Sequence, residues 1–186
     1  MILLGDSEPW DHAIGVDPGE TTGLCAVQLG DGSVFSHRLR AGRVLRGQVG
    51  AGSNRELGSG TPWWFREART VRSIAGRIFA VAEQWGVLEC CHLAIEDFII
   101  RENTTDRNLL SPVRITSGLL ALFEEMEGIN VVPHFNQASN GKVGVPDPAL
   151  KKLGFYEPGQ SHSNDAARQA IIVLRKMSEG KIPFGI

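Results

Sequence analysis

The sequence has few cysteines, one tyrosine, no long apolar run and almost no net charge, and these shortages exclude several classes of protein. The three cysteines, Cys25, Cys90 and Cys91, are odd in number and lack metal-ligand spacing. That argues against a disulfide framework and a zinc knuckle and predicts buried, reduced thiols. No apolar run approaches the roughly 18 residues that read as a membrane span. The amino-terminal stretch carries Asp6 and Glu8 where a secretory signal would be basic, so the chain reads as cytoplasmic, with no membrane partner. Glycine and proline, 22 and 9 residues, stay below the level of a low-complexity chain. A formal charge of −2 lacks the basic excess common in nucleic-acid-binding domains. What is present, 186 residues with 42% hydrophobic side chains, suits one domain spanning 1–186.

Mapped along the chain, the charge says more than its sum. Between Arg38 and Arg77 lie nine arginines against Glu56 and Glu67, a local +7 that leaves −9 for the remainder. One part attracts anions and another concentrates carboxylates. A protein that handles phosphodiesters through a divalent cation needs both, although a solvated basic face explains a charge run equally well.

Short β-branched or apolar runs at 12–17, 24–29 and 33–37, separated by Asp17-Pro18-Gly19 and Gly30-Asp31-Gly32, predict a three-stranded antiparallel meander. Residues 41–60 hold six glycines and two serines among arginines and predict a mobile basic loop. Thr61-Pro62 predicts a capped helix start, with Phe65, Ala68, Val71, Ala75, Ile78, Ala82 and Trp85 continuing at helical spacing. A strand over 92–99, a helix opened by Ser111-Pro112 and ended by Gly128, a short strand over 130–133 and a last helix carrying Ala167, Ala170, Ile171, Leu174 and Met177 complete the order. The fold class is therefore α/β, a five-stranded mixed sheet flanked by helices. Polar residues beyond the carboxyl ends of its central parallel strands are the first candidates for a site.

Carboxylates stand at three places where they are costly. Asp17 ends an apolar strand beside a glycine turn, a position that ordinary turn chemistry also explains. Glu96 and Asp97 interrupt Leu93-Ala94-Ile95 and point to opposite sheet faces, so at least one needs an arginine, a metal or an early strand end. His162 and Asp165 share one side of the first turn of the last helix, where capping accounts for Ser163, Asn164 and Asp165 but does not require His162. If the three places converge, their donors make an oxygen-rich set with one nitrogen, suited to Mg²⁺ or Mn²⁺. Two such ions could drive an in-line phosphodiester displacement.

Ile14-Gly15-Val16-Asp17-Pro18-Gly19 with Thr22-Gly23, then Ala94-Ile95-Glu96, then His162-Ser163-Asn164-Asp165-Ala166-Ala167 resembles, in that order, the RuvC family of Holliday-junction resolvases in the ribonuclease H-like superfamily. The resemblance covers nearly the whole chain. It implies a ribonuclease H-like fold, a homodimer, catalysis with two Mg²⁺ or Mn²⁺ ions per active site, and paired nicks across four-way DNA junctions. Carried over by position, Asp17 is the acid shared between the metals, Glu96 the second-strand ligand and Asp165 the last-helix ligand. His162 would help hold or activate the nucleophilic water. Phe98 is the nearest match to the family's junction wedge, and the dimer interface falls on the helix over 110–126. Candidate DNA contacts are Arg43, Arg46, Phe98, Arg101, Lys142, Lys151 and Lys152. The chain departs from the family in a shorter turn after Asp17, in the basic insertion over 41–60 and in the lysine-rich stretch before the last helix, a divergence that fits a bacteriophage member working in host cytoplasm.

Three other readings stay open. A debranching nuclease acting on forks or flaps would use the same carboxylates. A catalytically silent branched-DNA-binding module would keep the fold. A sugar-kinase or actin-like ATPase also has an aspartate before glycine and threonine after its first strand, but it needs two such domains, and 186 residues count against that.

Overall fold

The computed structural model describes residues 12–19, 21–29, 39–50, 60–98 and 110–181, with Leu29 and 39–50 described in their backbone only. Its strands are β1 (His12–Asp17), β2 (Thr21–Leu29), β3 (Leu39–Gly50), β4 (Cys91–Asp97) and β5 (Val131–Gln137). The helices are α1 (Trp63–Trp85), α2 (Ser111–Glu125), α3 (Ala138–Gly144), α4 (Asp147–Lys152) and α5 (Ser161–Ser178). The sheet order is β3-β2-β1-β4-β5, antiparallel from β3 to β1 and parallel from β1 through β4 to β5. This is an α/β fold with a mixed sheet flanked by helices.

Strand alternation sorts the core into two faces. Ile14, Val16, Leu24, Leu93 and Ile95 pack against Ile74, Ile78 and Val81 of α1 and Ile115, Leu119 and Phe123 of α2. Ala13, Cys25, Val27 and Ala94 pack against Ala166, Ala170, Ile171 and Leu174 of α5. Small residues dominate the second face, so α5 lies close to the sheet. A Cβ on Gly15 would stand 1.8 Å from the carbonyl oxygen of Ala166, and one on Gly23 would stand 1.9 Å from that of His162. Both strand positions therefore require glycine for close approach.

Several sequence expectations need correction. The third strand predicted at 33–37 lies outside the described residues. Residues 41–50, read as the start of a mobile loop, belong to β3, and 51–59 lie outside the described residues. The reason is pairing: β2 would otherwise present open N–H and C=O groups along one edge, and β3 takes them despite its glycines. The register shifts between Cys25, opposite Arg46, and Val27, opposite Ala41, which lodges the extra β3 residues.

At the start of α1, the Pro62 carbonyl accepts from the amides of Phe65 and Arg66, and no side chain caps the helix, so the capping role read for Thr61 does not hold. Phe65 and Ala68 are exposed, and burial begins at Thr70. The strand predicted over 92–99 stops at Asp97, and the one over 130–133 extends to Gln137. Cys25 and Cys91 are buried thiols as expected, and Cys90 is half-buried. Burial pushes the Cys91 thiol up to about 12. Among the described residues no helix is long and apolar enough to cross a membrane.

Candidate active site

The two central parallel strands place the acids. β1 and β4 pair with Val16 opposite Ile95, so Asp17 and Glu96, the next residue on each, emerge at neighbouring strand ends. Val16 and Ile95 face α1 and α2, which turns Asp17 and Glu96 toward α5. Asp97 falls on the opposite face by the same alternation and is exposed at the strand end. In an open α/β sheet the crevice beyond these carboxyl ends is where ligands bind.

The last helix supplies the other half. Because Gly23 pairs with Asp17 across β1 and β2 and lets the His162 backbone lie against it, the first turn of α5 reaches the end of β1. His162 Nδ1 sits 2.7 Å from Asp17 Oδ2. Ser163 Oγ donates to the Leu24 carbonyl at 3.3 Å, and Asn164 is tied to the Glu157 backbone through both its amide groups at 2.9 Å. These bonds fix the turn that carries Asp165. Glu96 Oε2 accepts from Gln169 Nε2 at 3.1 Å, two turns into the helix from His162. Asp165 pairs with Arg168, and its Oδ2 lies 3.7 Å from Lys142 Nζ.

The electrostatics bind the group together. Burial pushes Asp17 above its ordinary value, the hydrogen bond and charge of His162 pull it back, and the charge of Asp165 raises it further. Glu96 is pushed up to about 7, first by burial and then by the charge of Asp17, with Asp165 adding to the effect. His162 is raised, chiefly by its hydrogen bond to Asp17, against the opposing effect of burial. Each acid thus feels the others, and a carboxylate cluster of this kind is relieved by a divalent cation.

The chemistry of the donor set, three carboxylates and one imidazole, fits Mg²⁺ or Mn²⁺. As the side chains stand, no group of three or more His, Cys, Asp or Glu among the described residues is arranged to hold a metal ion. Each acid instead rests on its own protein partner: Asp17 on His162, Glu96 on Gln169, Asp165 on Arg168.

The other predicted residues are scattered. Lys142 on α3 is exposed and reaches Asp165; together with Asp147, Tyr156, Asp165 and Arg168 it lines a cavity of about 540 Å³ next to the acids. Lys151 lies over the Tyr156 ring, 4.6 Å from its centroid, and Lys152 is exposed on the same short helix. Phe98 is half-buried directly after β4. Arg43 and Arg46 fall on the backbone of β3, and Arg101 lies outside the described residues. Sequence reasoning missed two residues, Arg168 and Gln169, both buried on α5. The available signal was their spacing, three and four residues beyond Asp165 and embedded in an alanine- and isoleucine-rich stripe where polar side chains need partners.

No family model and no curated protein sequence matches the chain. Among solved structures, T. thermophilus RuvC in complex with Holliday junction substrate is similar with a TM-score of 0.59 and 17% identity, covering 91% of this chain and 96% of that one. The yeast mitochondrial Holliday junction resolvase Ydc2 is similar with a TM-score of 0.58 and 10% identity, covering 95% of this chain and 84% of that one. Over about nine-tenths of its length, the chain has the fold of these Holliday-junction resolvases.

Proposed function

We propose that this protein is a metal-dependent, structure-specific DNA endonuclease that resolves four-way junctions by paired nicks. The observation that carries the reading is the meeting of Asp17 and Glu96, on adjacent parallel strand ends, with the first turn of α5, where His162 lies 2.7 Å from Asp17. The fold it shares with proteins described as Holliday-junction resolvases supports the choice of substrate.

Asp17, Glu96 and Asp165 would hold Mg²⁺ or Mn²⁺, two ions per site, which when bound supply an activated water and charge stabilisation at the leaving oxygen. The chain's own residues prepare the rest. His162 orients Asp17 through Nδ1, and its half-exposed ring leaves Nε2 to exchange a proton with water. Lys142 presents a cation at the cavity, where a backbone phosphate would lie, Lys151 and Lys152 are exposed on α4 as further proposed phosphate contacts, and Phe98 stands just beyond Glu96. Arg43, Arg46 and Arg101 are further proposed phosphate contacts.

Paired nicks need two active sites, and a groove of about 490 Å³ between α1 and α2 offers a place for a second copy. Trp63, Val71, Gly118 and Leu122 give it an apolar lining, and Arg72 and Glu125 provide charges of opposite sign. A two-fold partner can pair these with its own.

The test is cleavage of labelled four-way junction, fork, flap and linear duplex with Mg²⁺ or Mn²⁺, comparing wild type with Asp17→Asn. Symmetric nicks in the junction that the variant loses by at least about 100-fold are expected, since removing a metal ligand removes the charge stabilisation of the displacement. Equal cutting of forks and flaps would replace the junction reading with that of a general debranching nuclease. Metal-dependent cutting of nothing would leave a binding module.

A further inference from the structure

Arg168 is an unusual residue for its position. It follows Ala166 and Ala167, precedes Ala170 and Ile171, and is buried on the helix that carries the candidate metal ligand Asp165. A leucine or methionine would fill that space without bringing a charge out of water. Yet the guanidinium meets three acceptors: Nη1 donates to Asp165 Oδ1, Nη2 to Asp147 Oδ1, and Nε to the Val145 carbonyl at 3.0 Å. Asp147 opens α4, and Val145 closes α3. The planar fork, which lysine cannot reproduce, therefore spans from the site to the segment that forms the far wall of the cavity.

The geometry of Asp165 gives the fork a purpose. One carboxylate oxygen, Oδ1, is held by Arg168, while Oδ2 meets, among the described residues, the exposed Lys142 Nζ at 3.7 Å. A carboxylate anchored through one oxygen presents the other in a fixed direction, which is how outer hydrogen-bond partners orient ligating carboxylates. Resting on the reading that Asp17, Glu96 and Asp165 bind a divalent cation, we propose that Arg168 is a positioning residue: it fixes Asp165 for the metal and ties that ligand to the α3–α4 segment through Asp147. Lys142 and Lys151 flank the same segment, so a DNA backbone seated against it would press on the tether that aims the ligand.

Titration of the full chain with Mn²⁺ alone, read by the paramagnetic resonance of free ion and by the metal-induced rise in Tm, tests this without any cleavage assay. Arg168→Gln should bind Mn²⁺ about tenfold or more weakly and lose most of the metal-induced rise. Asp147→Ala, which removes an exposed carboxylate and leaves Arg168 Nη2 without that partner, should weaken binding several-fold. A merely structural Arg168 would lower Tm without metal and leave the metal-induced rise intact, which overturns the proposal, as does equal or tighter binding by both variants. If Arg168→Gln fails to fold, Asp147→Ala and Arg168→Lys decide by the same two readouts. Wild type that binds no Mn²⁺ would overturn the metal-site reading itself, whereas wild-type binding matched by the variants would overturn the role of Arg168 alone.

Discussion

Glu96 shows what the site costs the folded chain. Its pKa of about 7 against an ordinary 4.5 means that the folded protein binds more protons than the unfolded one between those values. Stability therefore falls as pH rises through that window, and the full penalty is present above about 7. Asp17 and His162 are also raised. Asp17 carries the same sign as Glu96, and the His162 contribution, present below its unfolded value, is lost as pH climbs through its folded one. In EDTA the Tm should thus decline from pH 5 to pH 8. Glu96→Gln removes this penalty, so its profile should be flatter and its Tm at pH 8 higher than wild type by about 2–4 °C, the response of a domain this size to roughly 1 kcal/mol, partial exposure screening the rest. Thermal melts of both proteins across that range decide it, and parallel profiles would rule out Glu96 as the source. A stabilised variant without activity is the usual trade when a site stores charge for a ligand.

At the scale of elements, the site depends on how closely α5 meets β1 and β2. Gly23→Ala would place a methyl 1.9 Å from the His162 carbonyl, and backbone on both sides leaves no flexible group to yield. Overpacking there should cost about 3 kcal/mol and push the first turn of α5 away from Asp17. Denaturant unfolding should show the loss, and the pKa of His162, followed by NMR titration, should fall toward its free value as the bond to Asp17 breaks. An unchanged titration would mean that the glycine is not what sets the approach. The strand ends and the start of α5 were legible in the sequence because costly carboxylates and an imidazole interrupt apolar periodicity there. β3 was not, since its glycines and arginines carry no alternation and its pairing partner is set only by the fold. Nor was the Arg168 fork: Asp147, Val145 and Asp165 are brought together by α3 and α4, a stretch whose weak periodicity gave no helices to place. The exposed turns at the start of α1 read as core because spacing gives a helix its face, not which of its turns are covered.

For the whole molecule, the described residues of one chain hold one acid cluster of this kind, so the coordinated nicks proposed on two strands require two chains or two encounters. The α1–α2 groove lies on the sheet face opposite α5, which would leave the candidate site of each chain open in the proposed dimer joined there. The two helices cross closely there: a Cβ on Gly118 would stand 3.3 Å from a Val71 methyl, tighter than ordinary contact, and Arg114 locks the helices through paired bonds of 2.7 Å to Glu67. The groove is thus a rigid surface, and a rigid surface loses little entropy when it is covered. Leu122→Glu sets a carboxylate in the apolar lining without touching the acid cluster. Sedimentation velocity should show the wild type at twice the chain mass and the variant at one. On a four-way junction the variant should still nick in Mg²⁺, but the two nicks should lose their synchrony, so that singly nicked junction accumulates where the wild type passes directly to resolved duplex. A variant that still sediments as a dimer would move the interface elsewhere on the surface, and a monomeric variant that still makes synchronous nicks would show that pairing of the two sites does not depend on this face.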